Sequence, residues 1–120
     1  MKKLSSGRAK ALQFSPDTIQ TLLNRDRGCF FCKMGIHMDK VPNGSRAILD
    51  PMHIVNKSQG GMGVIQNGLI GCRGHHFLMD NGGYDKEMRK MAEDYLKILY
   101  PGWTRESVTY SKWQGFAYRK

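Results

Sequence analysis

The apolar residues of this chain fall into short stretches divided by glycine-rich and polar loops, and only one run is long and periodic. From Tyr84 to Tyr100, the residues Tyr84, Met88, Met91, Tyr95 and Ile98 recur at steps of 4, 3, 4 and 3. That spacing lines one face of an α-helix. It predicts the longest helix over 84–100, its stripe packed as core and its end set by Pro101-Gly102. A second helix is predicted from Ser15-Pro16-Asp17. Serine caps free N–H groups, proline tolerates the first helical position, and aspartate suits the positive end of the dipole. Ile19, Leu22 and Leu23 give this helix its apolar face, and it should end near Asn24.

Between these helices the pattern is that of strands and turns. Arg46 to Ile54 carries Ala47, Ile48, Leu49 and Ile54 and suits a strand interrupted by Pro51. Asn67 to Gly71 is a short apolar segment, His75 to Met79 a first helical turn, and Val108 to Trp113 a late strand. Pro42-Asn43-Gly44 marks a loop, and Asn81-Gly82-Gly83 breaks the chain. Gly60, Gly61 and Gly63 mark a loop over 58–63 with unusual backbone angles. There is no internal repeat and no low-complexity block.

A chain of 120 residues points to one domain. Its N-terminal 14 residues, with Lys2, Lys3, Arg8 and Lys10 among Ser5, Ser6 and Gly7, read as a basic flexible arm, leaving 15–120 as the domain. The 19 Lys and Arg against 10 Asp and Glu give a net charge of +9. That imbalance favours a polyanionic partner, nucleic acid first. An anionic membrane is the rival, but no basic amphipathic helix stands out. No apolar run is long enough to cross a bilayer, and no apolar segment follows the charged N-terminus as in a signal peptide. A cytoplasmic location is the default expectation.

The three cysteines change the picture further. An odd count without a secretory signal argues against a disulfide framework. Cys29 and Cys32 form C-x2-C, and Cys72 and His75 form C-x2-H. In each, a two-residue gap lets both side chains turn onto one ion. Together they supply the four N and S ligands of a closed tetrahedral zinc. With no position left for water, such a zinc is structural and adds its binding energy to folding.

A second constellation surrounds it: Asp50-Pro51-Met52-His53-Ile54-Val55, then Gly60-Gly61, Asn67, and Cys72-Arg73-Gly74-His75-His76. This stretch resembles the HNH endonuclease family over roughly residues 24–100, most closely its small phage and prophage members, which act in the host cytoplasm. The resemblance implies an α+β fold: a ββα-metal domain with a structural zinc, flanked here by an N-terminal helix and a long C-terminal helix. It implies hydrolysis of DNA phosphodiester bonds. His53 takes the position of the general base. Asn67, 14 residues on, takes that of the loop-pinning Asn, and His76, 23 residues on, that of a catalytic metal ligand. The metal would be Mg²⁺, Mn²⁺ or another divalent transition metal.

The chemistry accounts for these residue types. An anionic phosphodiester resists attack by another anion, so a base must deprotonate water and a cation must neutralise the phosphate. Histidine titrates near neutral pH, and its other ring nitrogen should donate to a carbonyl that fixes the tautomer. Many family members carry Asp or His just before the general base. Here Met52 stands there, a poor ligand for a hard cation. Asp50 and Asp80 both remain as carboxylate candidates. Lys57 and Arg73 lie near the site by sequence and suit DNA phosphates. His37 has no partner in the motif. Two other readings compete: a non-catalytic zinc knuckle that binds nucleic acid or a protein, and a thiol redox protein using C-x-x-C. The knuckle leaves His53, Asn67 and His76 without a role. The redox reading lacks the βαβ setting that motif normally occupies.

Overall fold

The structure, a computed structural model, describes residues 7–111. It is α+β. A two-stranded antiparallel sheet, β1 (Leu49–His53) and β2 (Gly68–Cys72), pairs Leu49 with Cys72 and His53 with Gly68. Helix α4 (Arg73–Asn81) follows β2 without a loop. Before the sheet come α1 (Gly7–Leu12), α2 (Pro16–Asp26) and the single turn α3 (Phe30–Lys33), and α5 (Asp85–Leu99) comes after α4. Among the described residues no helix is long and apolar enough to cross a membrane.

Local chemistry sets the boundaries. Ser15 caps α2 by accepting from the Thr18 N–H at 3.1 Å. The helix runs two residues past Asn24, because Arg27 adopts a left-handed conformation and its N–H returns to the Leu23 carbonyl at 3.0 Å. The strand expected from Arg46 starts only at Leu49, since Asn43–Ala47 coils into a 3₁₀ turn. The late strand contracts to isolated bridge residues, with Thr109 pairing Gly61, after a 3₁₀ turn at Glu106–Val108. Lys112 and Trp113 lie outside the described residues.

The long helix is present, but its buried face is rotated from the expected stripe. Met88, Ala92 and Leu96 are buried, whereas Ile98 is 78% exposed. Successive steps of four fit this face, and Ala92 escapes a reading that counts only large apolar residues. Beneath α5 the core joins Phe31, Met52, Ile54, Leu69, Met79, Trp103 and Val108.

The N-terminal segment also departs from expectation. Residues 1–6 of the arm lie outside the described residues. Residues 7–14 are not a free arm: α1 packs on the body, Leu12 is buried, and the Gly63 N–H donates to the Ala11 carbonyl at 2.9 Å. Gly63 permits this approach, as a Cβ there would lie 2.1 Å from the Gln13 carbonyl oxygen.

One buried ion pair ties three elements together. The Asp26 carboxylate accepts from Arg25 Nε at 2.7 Å, from the Tyr95 hydroxyl at 2.6 Å and from the Ile70 N–H at 2.9 Å. Arg25 in turn donates to the Ile65 and Gly68 carbonyls, each at 2.8 Å. Burial and the Asp26 hydrogen bond push the Tyr95 phenol up to about 12. Asp26→Ala should therefore cost about 3–5 kcal/mol, the usual result of leaving a buried charge unpaired. Urea unfolding against wild type measures it, and a loss below about 1 kcal/mol would contradict the role given to this pair.

Candidate metal centre and the adjoining histidine cleft

Cys29, Cys32, Cys72 and His75 converge from three elements, their ligand atoms all within 4.8 Å of one another. Cys29 and Cys32 bracket the start of α3, Cys72 ends β2, and His75 lies in the first turn of α4. The His75 Nδ1 lies 3.6, 3.5 and 3.3 Å from the sulfurs of Cys29, Cys32 and Cys72. The Cys32 and Cys72 sulfurs are 3.8 Å apart. A tetrahedral zinc with Zn–S near 2.3 Å and Zn–N near 2.0–2.1 Å has edges of about 3.8 Å between sulfurs and about 3.5 Å from sulfur to nitrogen. These four distances match the edges of a closed zinc site, and the remaining pairs lie within 4.8 Å.

A further contact fits the same ligand set. His75 Nε2 donates to the Ile36 carbonyl at 2.5 Å. A carbonyl only accepts, so the proton sits on Nε2 and Nδ1 keeps its lone pair toward the sulfurs. Burial pushes the Cys29 and Cys32 thiols up, Cys32 to about 12. A dication would reverse that trend by binding thiolates.

The next residue, His76, faces another way. Its Nδ1 is 3.1 Å from Asp50 Oδ2 and its Nε2 3.3 Å from Asp80 Oδ2. The two carboxylate candidates therefore sit on opposite edges of one imidazole. Asp50 is also gripped by Arg73, at 2.8 Å from Nε and 3.1 Å from Nη2. The Arg73 and His76 hydrogen bonds hold the Asp50 carboxyl below its usual range, against partial burial. Asp50 is thus committed to orienting His76. Asp80, 46% exposed at its side chain, keeps capacity on the Nε2 edge.

His53 ends β1 and lines a cleft of about 260 Å³ together with Lys57, His76 and Asp80. Its Nε2 donates to the Leu12 carbonyl at 2.7 Å, and its ring packs on Phe14 with centroids 4.1 Å apart. Leu12 ends α1, where carbonyls have no partner within the helix. The bond fixes the proton on Nε2 and leaves Nδ1 as the acceptor. Burial lowers the His53 pKa below its ordinary value, and the charge of Lys57 adds to the effect.

Asn67 is fully buried and acts on backbone alone. Its Oδ1 accepts from the Val55 N–H at 2.8 Å, and its Nδ2 donates to the carbonyls of Val55 and Met62 at 3.1 and 2.9 Å. It pins the loop after β1. Gly61 belongs to this clamp, since a Cβ there would lie 1.7 Å from the Val55 carbonyl oxygen. Arg89 of α5 braces the same loop, donating to the Ile54 carbonyl, to the His53 carbonyl at 3.2 Å and to Asn56 Oδ1 at 2.8 Å. Reading the sequence missed Arg89 and the Leu12 carbonyl. An arginine on a helix reads as solvated, and a main-chain acceptor leaves no mark in side-chain identity. Met52 turns into the core at 1% exposure, so it takes no part as a ligand.

Metal analysis of the purified chain should give about one zinc per molecule. Cys72→Ser should lower both the metal content and the unfolding midpoint, because binding to the folded state alone is folding energy. Full stability in a zinc-free preparation would rule out the structural role. Comparisons of the chain with protein-family models, with curated proteins and with solved structures found no match.

Proposed function

We propose that the protein is a divalent-metal-dependent DNA endonuclease of the HNH type, with the Cys3His group as a structural zinc site and the His53 cleft as the reaction centre. One observation carries the reading. A histidine whose pKa is lowered by burial, with its tautomer fixed by the Leu12 carbonyl, lines the same cleft as the His76–Asp80 pair. The element order β1, β2, α4 also agrees with a ββα-metal domain.

His53 takes a proton from water through Nδ1 as the water oxygen attacks phosphorus and the phosphodiester bond breaks. Asp50, fixed by Arg73, accepts the Nδ1 proton of His76 and so turns Nε2 toward Asp80. His76 Nε2 and the Asp80 carboxylate are the groups that would hold Mg²⁺ or Mn²⁺, and such an ion would supply charge neutralisation for the phosphate and the leaving oxygen. Lys57 lines the cleft and Arg73 the adjoining depression, where both would draw in the polyanion.

A supercoiled-plasmid assay with Mg²⁺ or Mn²⁺ tests the reading. His53→Ala should reduce the cleavage rate by roughly 10²–10⁴ while retaining DNA binding. His76→Ala should lose activity that higher metal concentration partly restores. Equal cutting by His53→Ala and wild type would refute the assignment.

The pH profile is a separate check. A base works in its neutral form, so activity should fall on the acid side at the folded pKa of His53, which lies below the ordinary 6.5. Lys57→Met should move that break upward by removing a nearby positive charge. A break above 6.5, or one unmoved by Lys57→Met, would place the titration on another group.

A further inference from the structure

Phe77 is 62% exposed and follows His76 in α4. Arg73, Phe77 and Asn81 stand at steps of four along one face of that helix. With His76 and Asp80 they line a shallow depression. His76 and Asp80 also line the His53 cleft, so the two hollows meet along that pair. Apart from Phe77, every residue lining the depression is charged or polar. A flat ligand with one aromatic face, a polar edge and a neighbouring anion fits all parts of it.

We infer that Phe77 is a stacking platform for an unpaired nucleobase beside the phosphate held in the His53 cleft; the inference rests on the endonuclease reading and adds the class of substrate. A phenyl ring stacks on the π-face of any base, and a basic groove that follows the backbone completes a single-strand site. In a paired duplex both faces of each base are covered by its neighbours. Phe77 therefore takes a base only where it is unpaired or turned out of the stack. Arg73 stands one helical turn before Phe77, with Asp50 fixing its guanidinium at the mouth of the depression. The preferred substrate is a DNA strand with an unpaired nucleotide next to the cut, as in single-stranded DNA or a bulged duplex.

The test uses the zinc-loaded full chain carrying His53→Ala, so that substrate survives, and measures binding to fluorescein-labelled oligonucleotides by anisotropy. The probes are a single strand, a duplex with one bulged nucleotide, and the same duplex fully paired. Adding Phe77→Ala should weaken binding to the first two by about 10- to 100-fold and change the paired duplex by no more than about twofold. Phe77→Trp should keep the preference. A single 5-iodouracil at the bulge should photo-cross-link to the peptide containing Phe77. Phe77→Ala binding all three probes as wild type, or weakening all three equally, overturns the inference while the endonuclease reading stands. Failure of the unsubstituted chain to bind any of the probes overturns both.

Discussion

The junction between β2 and α4 is the constraint on which the rest of the structure turns. Cys72 is the last residue of a fully buried strand, and His75 lies in the first turn of the helix that follows without a linker. Both meet Cys29 and Cys32 within ligand distance. Consecutive residues of a helix point about 100° apart. Once His75 is committed to the sulfurs and to the Ile36 carbonyl, His76 has little freedom, and it emerges beside Asp50 and Asp80. The metal-binding group therefore bears on the cleft without sharing a residue with it.

The other wall of the cleft is assembled from distant sequence. The Leu12 carbonyl reaches His53 from 41 residues away, and Arg89 braces the backbone after β1 from α5. Asn67 holds the same loop from within the core. Two titratable groups of the site are shifted in the same direction: burial lowers the pKa of His53, and the Arg73 and His76 hydrogen bonds lower that of Asp50.

How much of this was legible in the sequence depended on the range of the interaction. The two x2 spacings announced the Cys3His group, because ligand geometry is encoded within four residues at each half. The cap at Ser15, the breaks at Pro101-Gly102 and the existence of both main helices were also local properties. The contacts that complete the site were not local. Arg25 and Asp26 fall beyond the helix end expected near Asn24 and drew no role, yet they serve β2 and Tyr95. The N-terminal residues read as a solvated arm because their charges dominate the composition, whereas Leu12 and the terminal carbonyls of α1 decide their position. The rotated face of α5 has the same cause: burial of Ala92 depends on what lies opposite, which periodicity does not record.

Asp50 and Asp80 both lie against His76 but differ in how far their charge is already compensated. Asp50 makes a two-point contact with Arg73, so its oxygens are already balanced by a full positive charge. Asp80 has only a 3.9 Å approach from Arg89 besides its contact with His76. Under the proposed reading, a cation in the cleft would gain more from the carboxylate whose charge is less compensated, and would not displace an existing partner. Under the same reading, a phosphate approaching the less compensated Asp80 carboxylate would be repelled unless a cation stood between them.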